Sequence, residues 1–522
     1  MQGGPGPRTQ EEYRVAHVSD RAVDRAADPL GAGFRYYRAM ADTPSEPGTG
    51  APSGRDADDR PAVTGSAAGR SPAGRLPFST LVAYAPPIVG ITLLVFYIQL
   101  FFFKFATEVL GIAGAIVGLI FGLGRLWDAV ADLLVGVWSD RTRTRLGRRR
   151  PWMLAGAPLM ALSFVMVWSP PESLSPGAAT AWSAVALFLF FSGFTFYLIP
   201  HQALGAELSD DYHERSRIFG TRQVFFLCGM ALAMVFMHVT TNAENTRETA
   251  GSIALLMAAI GMTILLITPG LVRERPEFQG RGAAKPWRAL GDVVVRNAHA
   301  RRILVVIFID TCAVGMLSVL APFLAEYVML RPDLQAALPG VFMLASLLSV
   351  PLWVALSKRI GKRDAWRVSM VMAALAFGGV VFTGPGREIV TMILLAFAGA
   401  GYGCGGALGP SLLADVIDYD EFRTHQRQEG AYSAAWGFCI KSGLGVTALL
   451  AGVMLDLSGF VPNQAQSEHT LWMLKGVFSG FPFALFLFGA WFFKDFALSK
   501  EEHGKIREAL HRRSEARESA EG

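Results

Sequence analysis

The sequence predicts an all-α membrane protein of twelve transmembrane helices in two pseudo-symmetric six-helix halves. Three observations carry this expectation. Of the 522 residues, 52% are hydrophobic and only 17% are charged, against roughly 25% charged in soluble domains. Apolar runs near the length of about 20 residues that crosses a bilayer recur from position 78 to position 494. The charged junctions of the first half are echoed in the second. A lipid bilayer is therefore the expected environment. The net charge of +5 lies in particular loops between apolar runs, which is not the continuous basic surface of a nucleic-acid binder. Cys228, Cys312, Cys404 and Cys439 fall singly in apolar segments, so they read as packing residues rather than metal ligands or disulfide partners.

Residues 1–75 are polar and rich in Gly, Pro, Ala, Asp and Arg, a composition that cannot bury a core. They read as a disordered cytoplasmic tail without the apolar core of a signal peptide. Met40 is an alternative start. The first half, 76–272, holds spans at about 78–104, 111–138, 151–169, 179–207, 217–240 and 250–272. A basic cytoplasmic linker follows at 273–302. The second half, 303–495, holds spans at about 303–328, 335–357, 367–384, 389–415, 430–457 and 471–494. A charged cytoplasmic tail, 496–522, closes the chain.

Lys and Arg set the orientation. The loops after spans 2, 4, 6, 8 and 10 are basic, whereas the other loops carry at most one Lys or Arg each. Even-numbered loops and both termini are thus expected in the cytoplasm, with the chain a multi-pass protein of the cell membrane acting as a monomer. The halves repeat at an offset of about 210 residues. SDRTRTRLGRRRPW after span 2 is matched by SKRIGKRDAW after span 8, and AELSDDYHERSR ending span 4 by ADVIDYDEFRTHQR ending span 10. Two six-span halves with a site between them at mid-membrane is the architecture of major facilitator transporters.

An ionisable side chain at membrane depth costs about 2.5–3.5 kcal/mol on insertion scales and needs a partner or a watery cavity. Span 2 carries Arg125, Asp128 and Asp132 at spacings of three and four, all on one helix face. Two carboxylates and one guanidinium leave one net negative charge, which a sodium ion or a proton would balance. The bland alternative is a static packing network. Lys441 in span 11 either joins this cluster from the other half or snorkels toward the cytoplasmic face.

Asp140 and the arginines after it, Arg143, Arg145 and Arg148 among them, are expected to bridge to Glu207, Asp210, Asp415 and Asp418 as a cytoplasmic gate when the inner side is closed; the alternative is that these charges only set topology. Surface bridges worth about 0–1 kcal/mol each suit a cycle that must break them. Asp310 in span 7 is an intramembrane acid without a local partner, and His201 in span 4 follows Pro200; both are candidates to line a cavity. The GAGYGCGGALGP run at 399–410 follows no strand and reads as close helix packing rather than a phosphate loop.

With RLWDAVADLLVGVWSDRTRTRLGRRRPW, IPHQALGAELSDDYHERSRIFGTRQ and LLADVIDYDEFRTHQRQEGAYSAAWGFCIKSG in view, the chain resembles the glycoside–pentoside–hexuronide:cation symporter family over about 78–495. The resemblance implies H⁺- or Na⁺-driven uptake of a small glycoside-like solute by alternating access, with no cofactor beyond the coupling ion. The family's cation-site carboxylates match Asp128 and Asp132, its helix-IV threonine matches Thr195 and its helix-XI lysine matches Lys441. Its gate residues match Asp415, Asp418 and Arg427. Where the family often has Asn before the second Asp and Pro after it, this chain has Ala131 and Leu133. The lost oxygen ligand moves the expectation from sodium toward a proton.

The sugar-binding carboxylates of helices I and IV have no counterpart between Leu76 and Lys104 or between Gly177 and Ala206. The helix-IV aromatic aligns with Gln202. The cavity is instead expected to offer Tyr84, Thr92, Tyr97, Gln99, Tyr197, His201, Gln202 and Arg222. Some relatives carry lysolipids, so an amphiphile or organic anion is the alternative cargo. A receptor or scaffold that has lost transport is the rival class. A membrane enzyme has no motif to support it: there is no HExxH and no nucleophile elbow.

Overall fold

The computed structural model describes residues 77–208, 212–272, 297–426, 428–498 and 500–521, with single residues at 274, 291 and 293. Residues 1–75, most of the 273–302 linker, Asp210 and Arg427 lie outside the described set.

Among the described residues, eleven helices are long and apolar enough to cross a membrane. In chain order they are α1 (Phe78–Glu108), α2 (Gly114–Arg141), α3 (Arg150–Trp168), α4 (Pro176–Glu207), α5 (Tyr212–Thr241), α6 (Thr246–Leu271), α7 (Ala298–Val328) and α8 (Pro332–Ile360), then α10 (Glu388–Thr424), α11 (Glu429–Leu457) and α12 (Glu468–Asp495). The ninth place is taken by α9 (Lys362–Val380), 19 residues long. Its first turns hold Lys362, Arg363, Asp364 and Arg367, too many charges to read as a span by composition alone.

Two features depart from expectation. The closing segment is a helix, α13 (Lys500–Glu521), which packs on α10. Arg301 and Arg302 belong to the first turns of α7 rather than to a linker. That helix starts early because the Asn297 side chain accepts from the His299 and Ala300 amides, satisfying two of its orphan N–H groups.

The packing repeats with a shift of six helices. In the first half α1 packs on α5 and α6, α2 on α4, and α3 on α4 and α6; in the second, α7 packs on α11 and α12, α8 on α10, and α9 on α10 and α12. Three seams join the halves: α2 with α11, α1 with α7, and α5 with α8. α1 and α7 form the centre and are almost wholly buried. Large apolar side chains such as Leu162, Leu255, Leu348, Phe382 and Trp472 instead face outward, as a surface solvated by lipid requires.

Small residues set the α2–α11 approach. A β-carbon on Gly118 would lie 2.4 Å from the Ala448 carbonyl oxygen, and one on Gly122 3.0 Å from that of Gly445. Only glycine lets the two backbones come this close. The glycine run of α10 does the same work against α8, where a β-carbon on Gly403 would meet the Ser346 carbonyl at 2.2 Å.

Candidate functional site

The glycine contacts between α2 and α11 carry the site. One turn along α11 from Gly445, toward the end that bears the arginine loop (the basic end), Lys441 reaches across the seam. Its Nζ lies 2.7 Å from Asp128 Oδ1 and 2.6 Å from Asp132 Oδ2. It also lies 5.4 Å from the centre of the Phe194 ring. From α4, Thr195 Oγ1 sits 2.8 Å from Asp128 Oδ1 and 3.2 Å from Asp132 Oδ1.

Arg125 flanks Asp128 on α2, with Nη1 3.6 Å from Oδ2. Its guanidinium donates to Gln99 of α1 and lies over the rings of Phe121 and Phe191. Asp128 is fully buried. Five side chains expected to act together, Arg125, Asp128, Asp132, Thr195 and Lys441, are thus gathered from three helices and both halves.

This geometry revises the charge count. Lys441 does not snorkel away: its side chain is 13% exposed and fixed between the two carboxylates. Two cations face two anions, so the cluster is formally neutral rather than singly negative. The ammonium lies between the two carboxylates that the sequence reading assigned to a coupling cation. Ala131, buried at 2%, supplies no side-chain oxygen.

The expected cavity is mostly corrected. Tyr84 and His201 stack at 4.4 Å, and His201 Nε2 lies 2.9 Å from the Tyr84 carbonyl, beside the break in α1 at Ala85–Pro86. Tyr97 pairs with Thr240 at 2.7 Å, and the Tyr197 hydroxyl donates to the Leu265 carbonyl at 2.5 Å. Thr92 is buried against Gly229. Asp310, 2% exposed, lies inside the second half near Gly405 and Trp366. These six polar groups are enclosed by helix packing; Tyr97, Tyr197 and His201 find a side chain or a backbone carbonyl, whereas the Tyr84 hydroxyl and Asp310 Oδ2 are buried without a hydrogen-bond partner. Gln99, Gln202 and Arg222 remain partly exposed.

The expected gate is also rearranged. Glu207 Oε1 accepts from Arg148 at 2.5 Å and from Arg149 at 2.7 Å. Asp140 lies 3.3 Å from Arg149 and 3.8 Å from Arg148. In the second half Asp415 pairs with Lys362 at 2.6 Å, and His503 of α13 lies 3.0 Å from Asp418. The Arg148–Glu207 bridge is one of those expected; each of these described pairs stays within one half, and none links the arginine loop to Asp415 or Asp418. Arg143 and Arg145 are exposed.

The opposite end holds a latch that sequence reasoning missed. Lys104 of α1, buried, pairs with Glu108 on its own helix and with Glu326 of α7 at 2.6 Å. The Tyr327 hydroxyl donates to Glu108 at 2.9 Å, and the Asn463 amide donates to the Glu108 carbonyl at 3.0 Å. Asp456 of α11 accepts from the Gly114 and Ala115 amides, both at 2.9 Å, so one half caps a helix of the other. The only available signal was the Lys104–Glu108 spacing of four.

Residues 83–500 match the family described as MFS/sugar transport protein. The chain belongs to that family. It is a symporter of the major facilitator type, of the glycoside–pentoside–hexuronide group: a multi-pass membrane transporter of small solutes, not an enzyme. It is 26% identical to the isoprimeverose transporter of Lactiplantibacillus pentosus, over 76% of this chain and 84% of that protein. It is also 26% identical to sodium-dependent lysophosphatidylcholine symporter 1 of Gallus gallus, over 76% of this chain and 83% of that protein. A solved D-xylose-proton symporter shares the fold, with a TM-score of 0.60 at 13% identity, over 81% of this chain and 98% of the other.

Proposed function

We propose that this symporter couples the entry of a cation, H⁺ or Na⁺, to uptake of a glycoside-like solute by alternating access. The observation that carries the reading is Lys441 seated across the seam between Asp128 and Asp132. The lysine and the coupling cation compete for one pair of carboxylates. When the halves rock and α11 withdraws, the pair loses its ammonium, and a buried Asp128 and partly buried Asp132 beside a single arginine require a replacement charge. A cation entering from the far side supplies it, with Thr195 as a third oxygen donor. Lys441 returns as the cation leaves.

In this reading the basic end is cytoplasmic, following the Lys and Arg bias of the loops. The conformation has its outer end closed by Lys104, Glu326 and Asp456, while the cytoplasmic ion pairs stay within their own halves. Asp140, Arg148, Glu207 and Asp415 exchange partners across the seam when the inner end shuts.

A second cargo, a lysolipid, another amphiphile or an organic anion, is favoured by one observation. The membrane portions of α1 and α4 hold no acid between Leu76 and Lys104 or between Gly177 and Ala206. Arg222 of α5 is partly exposed. The test is uptake into proteoliposomes under a sodium or a pH gradient, comparing a xylose-containing disaccharide with lysophosphatidylcholine. Gradient-driven accumulation of the disaccharide supports the lead reading. Accumulation of the lysolipid alone replaces it with the second, and equilibration without gradient dependence refutes coupling.

A further inference from the structure

A cavity of about 960 Å³ opens at the basic end, away from the transport cluster. Its walls are the α8–α9 turn, the end of α10, and the segment that runs from α12 into α13. Six basic side chains line it: Lys358, Arg359, Lys362, Arg363, His503 and Arg507. Three of them are committed. Lys362 pairs with Asp415 at 2.6 Å, Arg363 with Asp364 at 3.0 Å, and His503 with Asp418 at 3.0 Å. Lys358, Arg359 and Arg507 have no ion pair or hydrogen bond among the described residues. The acids on the wall are Asp364, Asp415 and Glu501, and the first two are taken. Phe496 and Leu498, both buried, add an apolar patch.

The surface leading into this cavity is apolar. Leu344, Leu348 and Leu352 stand one turn apart on α8, are 57%, 69% and 66% exposed, and run toward Ile360 at the cavity rim. A stripe of this kind faces acyl chains, and it ends where headgroups begin.

We propose that this cavity binds the phosphate headgroup of an anionic phospholipid, whose acyl chains lie along the Leu344–Leu348–Leu352 stripe. The headgroup ties α13 to the α8–α9 turn of the second half. The bias that orients the chain puts basic residues on this side of the membrane, but does not by itself gather Arg507 with Lys358 and Arg359. Arg507 follows the last crossing helix and shares a cavity with Lys358 and Arg359, which lie far from it in sequence. The inference is independent of the solute and of the coupling ion.

The test uses the purified full chain in nanodiscs of phosphatidylcholine alone or with phosphatidylglycerol. Native mass spectrometry reads the lipid retained, and a thermal melt reads stability. Wild type should retain phosphatidylglycerol over phosphatidylcholine and melt higher in the anionic discs, both effects fading with added salt. Arg507→Gln should weaken retention about fivefold, and neutralising Lys358, Arg359 and Arg507 together on the order of a hundredfold. Arg507→Lys, which keeps the charge, should retain the lipid and controls for folding. Equal retention of the two lipids by wild type overturns the proposal, as does unchanged retention in Arg507→Gln. Displacement of the lipid by inorganic phosphate where sodium chloride of equal ionic strength leaves it bound would assign the cavity to a soluble anion and overturns it as well.

Discussion

Replacing Glu326 by Gln removes the one described ion pair that joins α1 to α7 at the end away from the arginine loop. Lys104 Nζ sits 2.6 Å from Glu326, with side chains 6% and 30% exposed. Leaving a buried charge with no partner costs about 3–5 kcal/mol, but Lys104 keeps Glu108 on its own helix. The loss is therefore closer to that of one charged hydrogen bond, about 1.5–3 kcal/mol. Because the pair exists only while this end is closed, the whole loss falls on the closed state. That energy multiplies the open-to-closed ratio by roughly 10 to 100.

Spin labels at Ala113 and Gln464, exposed positions of the two halves at this end, report the opening by pulsed dipolar spectroscopy once Cys228, an exposed cysteine, is replaced. The long-distance population should grow in Glu326→Gln. A Lys104→Met, Glu326→Gln double variant should add little beyond the larger single effect, since both remove one contact. An unchanged distance distribution in Glu326→Gln, or simple additivity in the cycle, would show that Lys104 does not hold the halves together.

Three further outcomes follow from the central cluster and its seam. Asp132→Asn leaves Lys441 with Asp128 alone and should abolish gradient-driven accumulation in proteoliposomes while a fluorescent fusion shows normal membrane expression; retained accumulation would remove Asp132 from the coupling role. Lys441→Met leaves two carboxylates to Arg125, so a sodium- or acid-induced rise in melting temperature should become larger than in wild type, and a smaller rise would contradict competition for the site. Gly118→Ala places a β-carbon 2.4 Å from the Ala448 carbonyl oxygen and should cost about 1–3 kcal/mol by overpacking, lowering the melting temperature and lengthening the distance between the Ala113 and Gln464 labels.

The helices were legible because apolar runs and flanking charges mark them directly. α9 shows how the reading worked and where composition alone falls short: the apolar stretch placed a span there, while the charges of its first turns hid the true start. α10 runs on to Thr424, since nothing in ADVIDYDEF stops a helix, so Asp415 and Asp418 sit on it rather than in a loop. The Arg125–Asp128–Asp132 face could be read because such charges are costly at membrane depth. The placement of Lys441 could not be decided, as it depends on how closely α11 approaches α2, and that distance is set by glycines whose partners lie on the other half. Tyr97 and Tyr197 looked like cavity groups for the same kind of reason: Thr240 and the Leu265 carbonyl are distant in sequence. Lys104 and Glu108 lie one turn apart, and nothing local indicates Glu326.

The six-helix repeat has a mechanical consequence. Exchanging the two halves maps the α2–α11 seam onto the α8–α5 seam, so tightening one against the other reverses the tilt of the molecule. The two seams are not chemically equivalent. α2 offers Asp128 and Asp132 to a lysine, whereas α8 has no acid from Ala337 to Ile360. One seam closes with an electrostatic clasp between its helix faces; in the other, Met234 of α5 lies against Gly340 of α8, with Asp333 near His238 at its end. If the halves rock as proposed, the two seams contribute unequally, and the charges of the α2–α11 seam add their bias to that of the Lys104–Glu326 pair.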